Sequence, residues 1–133
     1  MPDRPLSPHL SVYRFKYTLL SSILNRATGL ALSVGLLVLA WWLIALYQGP
    51  ASYAKTEGVF SSVIFKLVFA GLLFSFVYHL VAGVRHLIWD TGRGMERRQS
   101  QRSAWAIGII SVLLTLVLVY WAFFGAFAER SAS

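Results

Sequence analysis

Two histidines, an arginine and an aspartate end an apolar run in YHLVAGVRHLIWDTG at 78–92, where an ordinary membrane helix carries leucine, valine and phenylalanine. The imidazoles of His79 and His86 can ligate a metal or pass protons, the Arg85 guanidinium can hold an anion, and the Asp90 carboxylate can accept a proton. A charge at the centre of a bilayer helix costs roughly 2.5–3.5 kcal/mol on insertion scales, so such residues face a partner, a cofactor or a water-filled path. Gly71, Ser75, His79 and Gly83 recur every four residues, and His86 and Asp90 extend that helical face. The small residues leave room for something flat and bulky beside His79. They equally suit a close helix–helix contact that His79 bonds across, and spacing alone leaves both readings open.

A second group lies upstream. Ser22, Arg26, Gly29 and Ser33 follow one another at spacings of four, three and four, on one face of a helix. Gly29 and Ser33 suit plain packing, while Arg26 reads either as a pocket residue or as a side chain reaching for headgroups. His79 precedes Asp90 by eleven residues, which puts it roughly 16 Å from that helix end and near the bilayer middle. Arg85 and His86 lie about 10 Å nearer the end, level with Ser22 and Arg26, so a deep histidine with a cationic mouth is geometrically possible.

The elements that must position these groups are membrane helices. The chain has 133 residues, 57% hydrophobic and 13% charged, with the apolar residues in blocks of spanning length. The expected fold is all-α, an integral membrane bundle of three transmembrane helices forming part of a heteromeric anchor. A segment at 1–20 precedes one membrane domain at 21–133, with spans near 22–48, 62–90 and 104–127. The alternation of a membrane β-barrel is absent. The first helix should begin near Thr18 or Ser21, the short connection at 49–58 makes the first two spans antiparallel neighbours, and 91–103 reads as a solvated basic loop. Gly108, Ser111 and Thr115 in the third span are assigned packing only. Trp41, Trp42, Tyr47, Tyr53 and Phe60, with Tyr120, Trp121, Phe123, Phe124 and Phe127, read as an outer aromatic belt.

The net charge of +7 collects at helix ends, which argues for membrane topology rather than nucleic acid. Arg4, Arg14 and Lys16 precede the first span and Arg26 lies in its first turns, while Arg93, Arg97, Arg98 and Arg102 follow the second, so the N-terminus and second loop are expected to be cytoplasmic. With no cysteine, disulfides and thiolate ligation of haem or iron–sulfur clusters are excluded within the chain, and histidine is the strong metal ligand left.

Three motifs in order, RPLSPHL at 4–10 followed by Tyr13 and Arg14, SSILNRATG at 21–29 and HLVAGVRHLIWDTG at 79–92, resemble the cytochrome b subunit of succinate dehydrogenase, the large membrane anchor of complex II. The resemblance implies an electron-transfer subunit of succinate:quinone oxidoreductase in the respiratory chain and tricarboxylic acid cycle, inactive alone. It further implies haem b shared with a second small anchor, ubiquinone as substrate, and FAD and iron–sulfur clusters confined to a flavoprotein and an iron–sulfur partner. On that pattern His79 is the axial ligand of the haem iron. Arg26, Arg85 and His86 serve the haem propionates or pocket, and Ser22, Ile23, Arg26 and Asp90 serve the quinone site. Asn25 stands where the family commonly has histidine, although asparagine still donates a hydrogen bond.

His79 and His86 lie about 10 Å apart on one helix and cannot both ligate one iron, which leaves the second ligand to a partner chain. The rival expectation is a haem-free structural anchor. Because the matching motifs begin at Arg4, a bacterial inner membrane is the expected location.

Overall fold

The computed structural model describes residues 17–93 and 97–125. The RPLSPHL segment with His9, Tyr13 and Arg14, and Phe127 near the C-terminus, lie outside the described residues. Four helices follow in order: α1 Tyr17–Gln48, α2 Pro50–Phe60, α3 Val63–Asp90 and α4 Arg97–Tyr120, the last closed by a π-helical turn at Trp121–Gly125. No strand occurs among the described residues. Among the described residues three stretches are long and apolar enough to cross a membrane: Leu19–Gln48, Val63–Asp90 and Gln101–Gly125.

The short connection at 49–58 is mostly the helix α2. Gly49 makes this possible by adopting φ 101°, a conformation that side-chain-bearing residues rarely take. Pro50 then occupies the first turn of α2, where its missing N–H is no loss. Ser62 starts α3 by accepting from the Phe65 amide at 3.4 Å. Gly92, at φ 79°, ends it, its amide donating to the Trp89 carbonyl at 2.8 Å. The basic loop expected at 91–103 is shorter than foreseen, because α4 already begins at Arg97. Arginine and glutamine are good helix formers, and they extend α4 beyond its apolar span.

The three long helices run antiparallel in sequence order. Tyr78 of α3 reaches Ser21 of α1, while further along Leu72 meets Gly35 and Phe65 meets Trp41. Ile88 and Trp89 share a cleft with Gln99 and Ser103 of α4, and Phe74 shares one with Val112. α3 therefore packs against both other spans, and α1 and α4 also meet, Leu24 sharing a cleft with Trp105 and Ile109. Tyr78, Ala82 and Ile107 form the buried centre, with Leu24, Phe74 and Val81 packed around them. Many of the buried residues are small, among them Ala45, Thr28, Ser75, Ala82, Ala104 and Ser111, as membrane helices in close approach require. Large side chains face outward instead, with Leu37 at 70% and Val63 at 72% exposure, toward lipid or other chains.

At the end distant from Asp90, Trp41, Phe60, Phe65 and Phe69 interlock with ring centroids 5.1–6.2 Å apart. This cluster ties α1, α2 and α3 together. It gives the expected belt a packing role as well, while Tyr47 stays 92% exposed.

Candidate functional site

The site is built where α1 and α3 cross near Gly29. A β-carbon placed on Gly29 would lie 3.1 Å from Cε1 of His79, so the absent side chain is what lets the imidazole lie against α1. Nδ1 of His79 is 3.2 Å from the carbonyl oxygen of Asn25 and 3.4 Å from Oγ1 of Thr28. A carbonyl only accepts, so this bond requires the proton on Nδ1. The Thr28 hydroxyl spends its single proton on the carbonyls of Leu24 at 2.7 Å and Asn25 at 3.0 Å, and turns lone pairs to the ring. A neutral His79 held this way keeps its one bare lone pair on Nε2, which has no hydrogen-bond partner among the described residues. Holding one ring nitrogen in a hydrogen bond so that the other can ligate is the usual support of a metal-binding histidine.

The face that carries His79 is open on either side of it. A β-carbon at Gly71 or at Gly83 would meet nothing within 4 Å, so these glycines make no close helix contact among the described residues. Ser75 between them is buried and bonds back to the Gly71 carbonyl at 2.8 Å. Asn25, whose backbone carbonyl holds the ring, has its Oδ1 buried without a hydrogen-bond partner among the described residues, a condition that costs free energy unless something polar arrives.

Ser22, Ile23 and Arg26 are exposed on α1, and the hydroxyl of buried Tyr78 donates to the Ser21 carbonyl at 3.4 Å, fixing this turn of α1 against α3. His86 and Asp90 are exposed on α3, on the face of His79. Arg85 is not on that face. Six residues from His79, it points about 120° away around the helix and lines a cleft with Gln99 and Ser103 of α4. Its guanidinium carbon sits 4.0 Å from the centre of the Trp89 ring, and His86 meets the same ring edge-on at 5.6 Å. The cationic mouth expected from sequence is thus divided between two sides of α3.

Sequence reasoning overlooked Thr28, the Asn25 carbonyl and Trp89. Trp89 had a legible signal, standing three residues after His86 and four after Arg85. The Asn25 carbonyl had none, because every residue carries one. Gly29 was read as packing, and what it packs is His79.

Gly29 and Gly35 test this reading against each other. A β-carbon at Gly35 would come 3.0 Å from Cδ2 of Leu72, as tight as the Gly29 contact, but Leu72 can change rotamer whereas His79 is pinned through Nδ1. Gly35→Ala is expected to shift the thermal midpoint of the detergent-solubilised protein little, and Gly29→Ala to lower it clearly. Equal shifts would contradict the pinning of the ring.

Residues 1–118 match the family of succinate dehydrogenase/fumarate reductase transmembrane subunits. The chain belongs to this family. It is 37% identical over 121 residues to the succinate dehydrogenase cytochrome b556 subunit of Paracoccus denitrificans, covering 89% of this chain and 93% of that one. The cytochrome b556 subunit of Rickettsia felis is 37% identical over 115 residues, 86% of this chain and 90% of the relative. The mitochondrial cytochrome b560 subunit of Sus scrofa is 34% identical over 119 residues, 87% of this chain and 70% of the relative. As a succinate dehydrogenase/fumarate reductase transmembrane subunit, the protein is a multi-pass membrane component of an enzyme complex and not a catalyst by itself.

Proposed function

We propose that this chain is the membrane-anchor cytochrome b subunit of a succinate:quinone oxidoreductase, holding haem b together with a second small anchor and forming part of the ubiquinone site. The observation that carries the reading is the His79 ring, fixed through Nδ1 by Asn25 and Thr28 with Nε2 left to ligate. Among the described residues no three His, Asp or Glu side chains converge on a metal position. Nε2 of His79 would hold the iron of a haem, which brings its own macrocycle and needs only single ring nitrogens from the protein. The open Gly71 and Gly83 positions give a flat group room on the same face, and the buried Asn25 amide offers it a polar contact.

Haem b, when bound, supplies a one-electron store within the membrane. The chain's own residues do the rest. His79 would ligate the iron and fix the group's orientation, Asn25 and Thr28 hold the ring's tautomer, and His86 and Asp90, exposed further along the same face, would serve the pocket mouth and proton delivery to quinone. Ser22 donates to a quinone carbonyl, Arg26 offsets negative charge growing on the reduced ring, and Ile23 lines that site. FAD and the iron–sulfur clusters belong to the flavoprotein and iron–sulfur partners. The basic N-terminal side faces the cytoplasm of a bacterial inner membrane.

The test is a reduced-minus-oxidised visible spectrum of the complex purified through this subunit. A sharp low-spin b-type band is expected. An intact quinone-reducing complex without that band would leave the haem-free structural anchor as the reading.

A further inference from the structure

The cleft between α3 and α4 has no part in the His79 site, and its chemistry is of another kind. It has a volume of ≈ 310 Å³ and is polar at one end, where Arg85, Trp89, Gln99 and Ser103 meet. Val81, Val84, Ala106, Ile107 and Ile110 line its deeper part. Arg85 stands five residues before the end of α3, about 7.5 Å below it, at the depth where headgroups give way to hydrocarbon. Trp89 lies one turn nearer the surface, the level that tryptophan favours.

We propose that this cleft is a binding site for one anionic glycerophospholipid, with the phosphodiester on Arg85 and an acyl chain along Val84, Ile107 and Ile110. Three features support that occupant. The first is the order of the lining, which runs from cationic and hydrogen-bonding to apolar over one helical span, as a phospholipid does. The second is the posture of Arg85. Its guanidinium carbon lies 4.0 Å from the centre of the Trp89 ring, which His86 also contacts, so the cation is anchored on an aromatic face, and a guanidinium offers N–H groups in a geometry that matches phosphate oxygens. The third is the local charge. Arg93 is exposed just past the end of α3, and Arg102 is exposed on the flank of the lining face, three residues after Gln99 and four before Ala106. Cationic residues between helix ends attract anionic headgroups, each worth about 1 kcal/mol near a charged surface. A zwitterionic lipid would bring its own cation into this field.

The experiment uses the whole complex. p-Benzoylphenylalanine is placed at position 84 in place of Val84, and the complex is reconstituted in nanodiscs of equimolar dioleoylphosphatidylglycerol and dioleoylphosphatidylcholine. After irradiation, adducts on this chain are weighed by mass spectrometry. Adducts of phosphatidylglycerol are expected to outnumber those of phosphatidylcholine by about tenfold, because both carry the phosphodiester but the choline cation cancels the attraction of one or two of the basic residues, each worth about 1 kcal/mol. Adducts in the ratio of the bulk lipids would overturn the proposal, because the cleft would then hold only the general bilayer. Adducts to another polypeptide would overturn it as well, by showing that a partner chain fills the cleft. A second measurement adds Arg85→Gln and Trp89→Leu to the labelled chain, each expected to bring the ratio to near that of the bulk, with Arg85→Lys between. If the preference survives Arg85→Gln unchanged, the phosphate does not sit on that guanidinium.

Discussion

Replacing His79 with alanine is expected to remove the low-spin b-type band from a complex that still assembles. The two halves of that outcome have separate causes. The spectral loss follows from taking away a ring nitrogen that, alone among the described residues, is both deep in a span and held with a bare lone pair. Assembly survives because α1 and α3 stay joined at both ends of the crossing. The Tyr78 hydroxyl still reaches Ser21, and the Trp41, Phe60, Phe65 and Phe69 cluster is untouched. The hydrogen bond given up is worth about 1 kcal/mol net, too little to separate two long helices. The check is the reduced-minus-oxidised spectrum of the variant, set beside the recovery of partner subunits. A full band in His79→Ala would remove the ligand assignment. Thr28→Val makes a subtler companion, since it deletes one of the two acceptors at Nδ1 and so should shift the haem midpoint potential without losing the band.

The second large effect belongs to Arg26. If it faces the charge that grows on quinone during reduction, Arg26→Ala should lower succinate-to-quinone turnover by roughly 10²–10³, the usual cost of removing one preorganised donor from a developing anion. Ser22→Ala should cost less, because a neutral hydroxyl contributes a neutral hydrogen bond. Electron transfer from succinate to a water-soluble dye, which does not need the membrane site, should stay near wild type in both. That contrast separates a quinone role from a general fault in assembly. Unchanged quinone reduction in Arg26→Ala would return the residue to the headgroup-seeking role that its exposure also allows.

The all-α class and the three spans were legible because lipid enforces a simple rule. Runs of about twenty apolar residues must be helical, and the charges between them mark the ends. His79 was legible for the same reason, as an ionisable group where such groups are costly. What surrounds it was not. Whether Gly71 and Gly83 touch another helix depends on how α1 and α4 lean on α3, which four-residue spacing does not encode, and the structure leaves both glycines open. Arg85 and His86 are neighbours in sequence yet lie on different sides of α3, so reading them as one cationic mouth overlooked the 100° turn between consecutive helical residues. The helix at Pro50–Phe60 escaped notice because its polar and small residues carry no apolar period, and only the turn at Gly49 and Pro50 marks its start.

The hydrogen bond from His79 to Asn25 also bears on the membrane as an insulator. An imidazole halfway across a bilayer is a natural stepping stone for a proton, because it can take one up on one nitrogen and release another from its opposite side. Here the Nδ1 proton is held by a backbone carbonyl that cannot be titrated, and the Thr28 hydroxyl beside it has already given its hydrogen to α1. Once Nε2 is committed to a ligand, the ring has no site at which to receive and none from which to pass on. If His79 ligates haem iron as proposed, the bond that readies it for electrons would also close it to ion leakage across the membrane.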